Sequence, residues 1–143
     1  MKIKNYRYEK DLLESFYNIL DSDKSPWGRL RTANEFNYIR GKTDIIALDD
    51  KDNIIAFEMK LNKWRDALQQ AYRNTCFAHH SYVVLPEQIK NRVLRYSVEF
   101  LRRSVGLCFI KNNSIIIELS PSYQKPIQPW LSNKAMQIIQ SSY

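Results

Sequence analysis

The chain has 143 residues, with 22 Lys or Arg against 15 Asp or Glu and a net charge of +7; that length suits one domain with a core that needs no disulfide or metal staple. A hydrophobic share of 44%, a charged share of 26%, 3 glycines and 5 prolines are those of a globular protein and exclude low-complexity disorder. The positive surplus favours polyanionic partners, nucleic acid first, and its spread from Lys2 to Lys134 means that folding must assemble any binding surface.

The opening MKIKNYRYEK lacks the apolar stretch of a signal peptide. No apolar run approaches the ~20 residues of a membrane helix, so no membrane partner is expected. Residues 8–21 place Leu12, Leu13, Phe16 and Leu20 at helical spacing, with Glu9 at the edge of that apolar face and Glu14 pointing away. SDKSPWG reads as a loop and residues 29–39 as a strand. Residues 43–48 and 54–61 are β-rich runs around the turn DDKDN, hence a β-hairpin. Residues 63–78 read as a helix with Trp64, Ala67, Leu68, Ala71, Tyr72 and Thr75 on one stripe, which assigns Trp64 and Tyr72 to the core rather than to base stacking.

Residues 81–85 are an almost wholly apolar strand. Pro86 suits the first turn of a helix running to about Arg103. Residues 106–110 and 114–119 are two strands around KNN. After an irregular, proline-rich stretch, Ser132 can cap a last helix carrying Ala135, Met136 and Ile139. The order α-β-β-β-α-β, then α-β-β, predicts a mixed α/β sheet flanked by helices. The expected division is a domain over 1–120 and a C-terminal extension, 121–143, packed on it. Cys76 and Cys108 sit in hydrophobic context and read as free thiols of a cytoplasmic protein.

The hairpin carries the chemistry. Glu58 and Lys60 share one strand face, and an acid beside a base on a mostly buried strand is costly unless paired or functional. Asp44, the one charged residue of TDIIAL, can approach Glu58 near one end of the hairpin. Two carboxylates beside a lysine suit Mg²⁺, with Mn²⁺ as a substitute, because a hard cation takes oxygen ligands and often needs only one or two carboxylates. Such an ion polarises a phosphate and activates water. Basic walls are then expected around an acidic centre. Arg40, Lys42, Lys63 and Arg73 are the candidate phosphate contacts, with Arg29, Arg31 and Arg65 behind them.

Cys76, His79 and His80 lack further ligands for a structural zinc. No G-x-S-x-G and no G-x-x-x-x-G-K-[ST] occurs, which argues against a serine hydrolase and an ATP-driven motor.

Three segments carry a resemblance: GKTDIIA at 41–47, AFEMK at 56–60 and ALQQAY at 67–72. They resemble the PD-(D/E)xK nuclease superfamily, with its restriction-endonuclease-like αβββαβ core and its Holliday-junction-resolvase-like members. The match spans about residues 8–85, with the later helix and hairpin as additions. It implies that Asp44 and Glu58 hold Mg²⁺ with the backbone carbonyl of Met59, that Lys60 serves the attacking water, and that Gln70 orients water or substrate. It also implies a further acid, Glu9 by its face, with Glu14 second and Glu35 open. The family's proline before the aspartate is Thr43 here. The implied activity is metal-dependent hydrolysis of phosphodiesters in DNA, with homodimerisation as a way to grip two strands. The alternative readings are a silent nucleic-acid-binding or complex-assembly module of the same fold, and a protein adaptor whose charge is incidental.

Overall fold

Alternation within the hairpin decides which way each strand faces, and the helices cover what the strands present. A computed structural model describes residues 6–142, so residues 1–5 and the reading made of them lie outside the described residues. Helix α1 spans Glu9–Leu20; strands β1, β2 and β3 span Arg31–Tyr38, Gly41–Leu48 and Ile54–Met59; helix α2 spans Trp64–Asn74 and strand β4 His80–Pro86. This is the expected α-β-β-β-α-β order. Two short helices, α3 (Lys90–Leu94) and α4 (Ser97–Arg102), lead to β5 (Gly106–Lys111) and β6 (Ser114–Leu119), and α5 covers Pro129–Ser141.

The six strands form one mixed sheet in chain order. β1, β2 and β3 make an antiparallel meander, β3–β4 and β4–β5 are parallel, and β6 closes antiparallel on β5. Ile45 and Ala47 of β2 and Ile55, Phe57 and Met59 of β3 face α1, where Leu12, Phe16, Ile19 and Leu20 meet them. Ile46, Leu48, Ile54 and Ala56 face the other way, onto Ala135 and Ile139 of α5. By the same period of two, Asp44 and Glu58 belong to this second face. α2 packs against β4, and its Trp64, Ala67, Leu68 and Ala71 share one core cluster with Val83 and Leu85 of β4 and Leu107 and Phe109 of β5. No helix among the described residues is long and apolar enough to cross a membrane.

Three expectations are corrected. The helix expected from Pro86 to Arg103 is broken: Pro86 stays extended (φ −74°, ψ 148°) and ends β4, and a 3₁₀ turn at Glu87–Ile89 precedes α3. The Ser97 hydroxyl then donates to the Leu94 carbonyl (2.7 Å), a local bond that competes with helix continuation. The last helix begins at Pro129, whose fixed φ suits a first turn, while the Ser132 hydroxyl donates to the Phe77 carbonyl (2.7 Å) and ties α5 to the segment after α2. On α2 the buried stripe ends on Asn74; Tyr72, expected in the core, is exposed.

Phe57 lies at the centre of the α1 side. Its ring is 4.9 Å from Phe16, 5.0 Å from Trp27 and 5.6 Å from Tyr82. Trp27, from the loop after α1, is fixed there by its indole N–H, which donates to the Tyr82 hydroxyl (3.1 Å). Phe57→Ala leaves a cavity that so many rings cannot collapse into, and should cost about 3–5 kcal/mol. Urea unfolding checks this; a loss below about 1 kcal/mol contradicts the packing described.

Candidate functional site

The sheet opens at Asp44. β1 and β2 pair Asn34 with Ile45 and Phe36 with Thr43, passing over Glu35, which takes a positive φ of 55°. The β2–β3 ladder begins only at Ile45–Phe57. In place of a ladder bond, the Asp44 carboxylate (Oδ2) accepts the Met59 amide N–H at 2.9 Å. Glu58, one residue earlier on β3, is buried with its carboxyl in hydrogen-bonding reach of Asp44. Burial, and then the Asp44 charge, push the Glu58 carboxyl up to about 9. Two carboxylates at this distance cannot both ionise cheaply without a neighbouring positive charge.

These acids lie in an open cleft of ≈ 520 Å³ at the end of β3. Glu9, Lys42, Met59, Lys60, Gln70 and Arg73 line it with them, so most of the expected site is brought together, and Asp66 and Gln69 of α2 join it. Lys42, Lys60 and Arg73 thus surround an acidic centre. Lys60 Nζ lies 3.8 Å from Glu9 Oε1. Among the described residues no three His, Cys, Asp or Glu are grouped to hold a metal. Glu9 therefore stands at the cleft edge on Lys60 rather than beside half-buried Asp44 and buried Glu58.

The other candidates fall elsewhere. Glu14 lines a separate depression with Asn34, and Glu35 is exposed and paired with Lys42 (2.9 Å). Arg40, on the exposed β1–β2 turn, and Lys63, just before α2, do not line the cleft. His79 is occupied structurally, its Nδ1 accepting the Ile54 N–H (2.9 Å).

No family model matches the chain, and no curated protein matches it. Solved structures do. A protein of unknown function from Silicibacter pomeroyi, SPO1766, is similar over 97% of this chain and 88% of its own, with a TM-score of 0.67 and 15% identity. The structure of Pyrococcus furiosus SfsA in complex with Ca²⁺ matches over 81% of this chain and 65% of its own, with a TM-score of 0.48 and 10% identity. The first of these shows a shared fold.

Sequence reasoning missed the residue that holds the cleft in order. Asn74 is fully buried, and its Nδ2 donates to Glu58 Oε1 at 2.9 Å. Its Oδ1 accepts from the Tyr38 hydroxyl (2.6 Å) and from the Thr43 hydroxyl (2.9 Å). With its oxygen so taken, the amide can turn only its NH₂ toward Glu58. Thr43 is fully buried and supplies a donor that a proline at this position would lack. Gln70 joins the network through Nε2, which donates to the Tyr38 hydroxyl (3.3 Å), and its amide lies against Gly41, where a Cβ would collide with it. The sequence did carry one signal: Gln70 and Asn74 are four apart, on one helical face.

The raised Glu58 carboxyl makes stability pH-dependent. Its neutral form favours folding, so this contribution is complete below the ordinary value of 4.5 and is lost as pH rises through about 9. Glu58→Gln keeps the shape without the charge. With chelator present, the variant should equal the wild type at pH 4–5 and grow progressively more stable than it toward pH 9, read by urea unfolding. Parallel pH profiles would contradict the assignment.

Proposed function

We propose that this chain is a divalent-metal-dependent nuclease of the PD-(D/E)xK type, hydrolysing phosphodiester bonds in DNA. The observation that carries the reading is the meeting of Asp44 and Glu58 at the end of β3, in a cleft shared with Lys60. The donor set is all oxygen, it is mutually repulsive when ionised, and Mg²⁺ requires only one or two protein carboxylates. Asp44, Glu58 and the Met59 backbone carbonyl would hold the ion. When bound, Mg²⁺ or Mn²⁺ supplies Lewis-acid polarisation of the phosphate and an activated water.

The chain's own residues do the rest. Lys60 is partly exposed at the cleft, close enough to serve the incoming water or the charge that builds on the phosphate. Glu9 restrains the Lys60 ammonium from α1. Gln70 is fixed by Tyr38 and by Arg73, whose Nη1 donates to Gln70 Oε1 (3.4 Å), and so presents an oriented amide to the cleft. Lys42 and Arg73, exposed on the cleft walls, provide phosphate counter-charge.

Purified protein should nick or cut plasmid DNA with Mg²⁺ or Mn²⁺ and not with chelator. Asp44→Ala and Lys60→Ala should each lower the rate by roughly 10²-fold or more. DNA binding with no cleavage under either ion would instead identify a silent binding module.

A further inference from the structure

The exposure of Tyr72 has a structural setting. α2 presents two adjoining polar faces. One, through Asp66, Gln69, Gln70 and Arg73, lines the acidic cleft. The other, through Arg65, Leu68, Gln69 and Tyr72, forms with Glu99 and Arg103 a second groove of ≈ 370 Å³. Gln69 lines both, so the two adjoin at that side chain. Tyr72 is 53% exposed, a large aromatic ring on a helix face with polar neighbours.

The guanidinium groups of the groove are fixed. Arg65 sits over the Trp64 ring (4.2 Å) and the Tyr96 ring (4.7 Å) and donates to both Glu99 carboxylate oxygens (3.2 Å each). Arg103 gives one N–H to the Glu99 carbonyl (2.9 Å), and a guanidinium has five donors in all. Tyr72 and Arg65 are seven residues apart, roughly 10 Å along the helix axis.

The geometry points to a binding site for a single nucleic-acid strand in this second groove, with Tyr72 stacking on an unpaired base and Arg103 meeting the backbone. The inference rests on the nuclease reading, since it takes the groove as the continuation of that cleft. An aromatic face and positive charge are what sequence-tolerant binding of single strands uses. Bases inside a duplex have their faces covered by their neighbours, so the ring selects unpaired segments: overhangs, flaps or branched DNA.

The test is equilibrium binding, by fluorescence anisotropy, of a labelled single-stranded oligonucleotide and of a duplex of equal length, without divalent metal. Tyr72→Ala should weaken single-strand binding about 5- to 150-fold, from roughly 1–3 kcal/mol per stacked base. It should leave duplex binding within about twofold, and Tyr72→Phe should bind as the wild type does. Arg103→Gln should reduce the salt slope by about 0.7, as for one phosphate contact on a single strand. An unchanged Tyr72→Ala, equal losses on both ligands, or a wild type that binds neither would overturn the site. Loss of strand binding in Tyr72→Ala alongside a wild type that never cleaves would keep the groove and remove the nuclease reading. Cleavage with Tyr72 immaterial to binding would do the reverse.

Discussion

One side-chain amide governs the arrangement of the cleft. Asn74 accepts from Tyr38 and Thr43 at one end and donates to Glu58 at the other. It thereby links β1, β2, β3 and α2 through a single buried group. A buried polar network of this kind stabilises only when each member is satisfied, and then it permits one arrangement. The carboxyl of Glu58 is costly where it stands, and Asn74 offsets only part of that cost, since burial and Asp44 still dominate its proton affinity. The fold therefore sets a carboxyl of raised proton affinity beside a second acid, where a proton or a cation relieves the repulsion between them.

The sheet contributes the other half. Had Asp44 been an ordinary ladder residue, its carboxylate would project from a regular hairpin. Instead the ladders on both sides pass it by, Glu35 adopts a left-handed backbone opposite, and Asp44 takes the Met59 amide. The side chain is thus pinned to β3 at the residue beside Glu58. The apolar remainder of the hairpin, above all Phe57 in its cluster of rings, fixes the strand register that makes this meeting possible.

How much of this could be read from the sequence follows from what each element depends on. The hairpin around 49–53 and strand 81–85 were readable because period, β-branching and turn chemistry are local. Asp44, Glu58 and Lys60 stood out because charges within apolar runs demand a reason. Asn74 did not, since a polar residue at a helix end looks like surface until the elements that cover it are known. Tyr72 failed the other way: its place four residues after Leu68 put it on the apolar stripe, yet the buried face runs through Ala67, Ala71 and Asn74 and leaves the ring outside. At the break after Leu94 the Ser97 hydroxyl takes the Leu94 carbonyl, a local bond that periodicity cannot register.

The most direct test of the proposed cation site is the proton that a bound ion would have to displace. Glu58 holds its proton at neutral pH, and a carboxyl must give it up to bind a metal. Calorimetric titration of Mn²⁺ at pH 7.5, in two buffers of different ionisation enthalpy, counts that proton. Release of about one proton per ion by the wild type, and none by Glu58→Gln, is the predicted result. Binding without proton release, or no binding at all, would contradict a cation site built on Asp44 and Glu58.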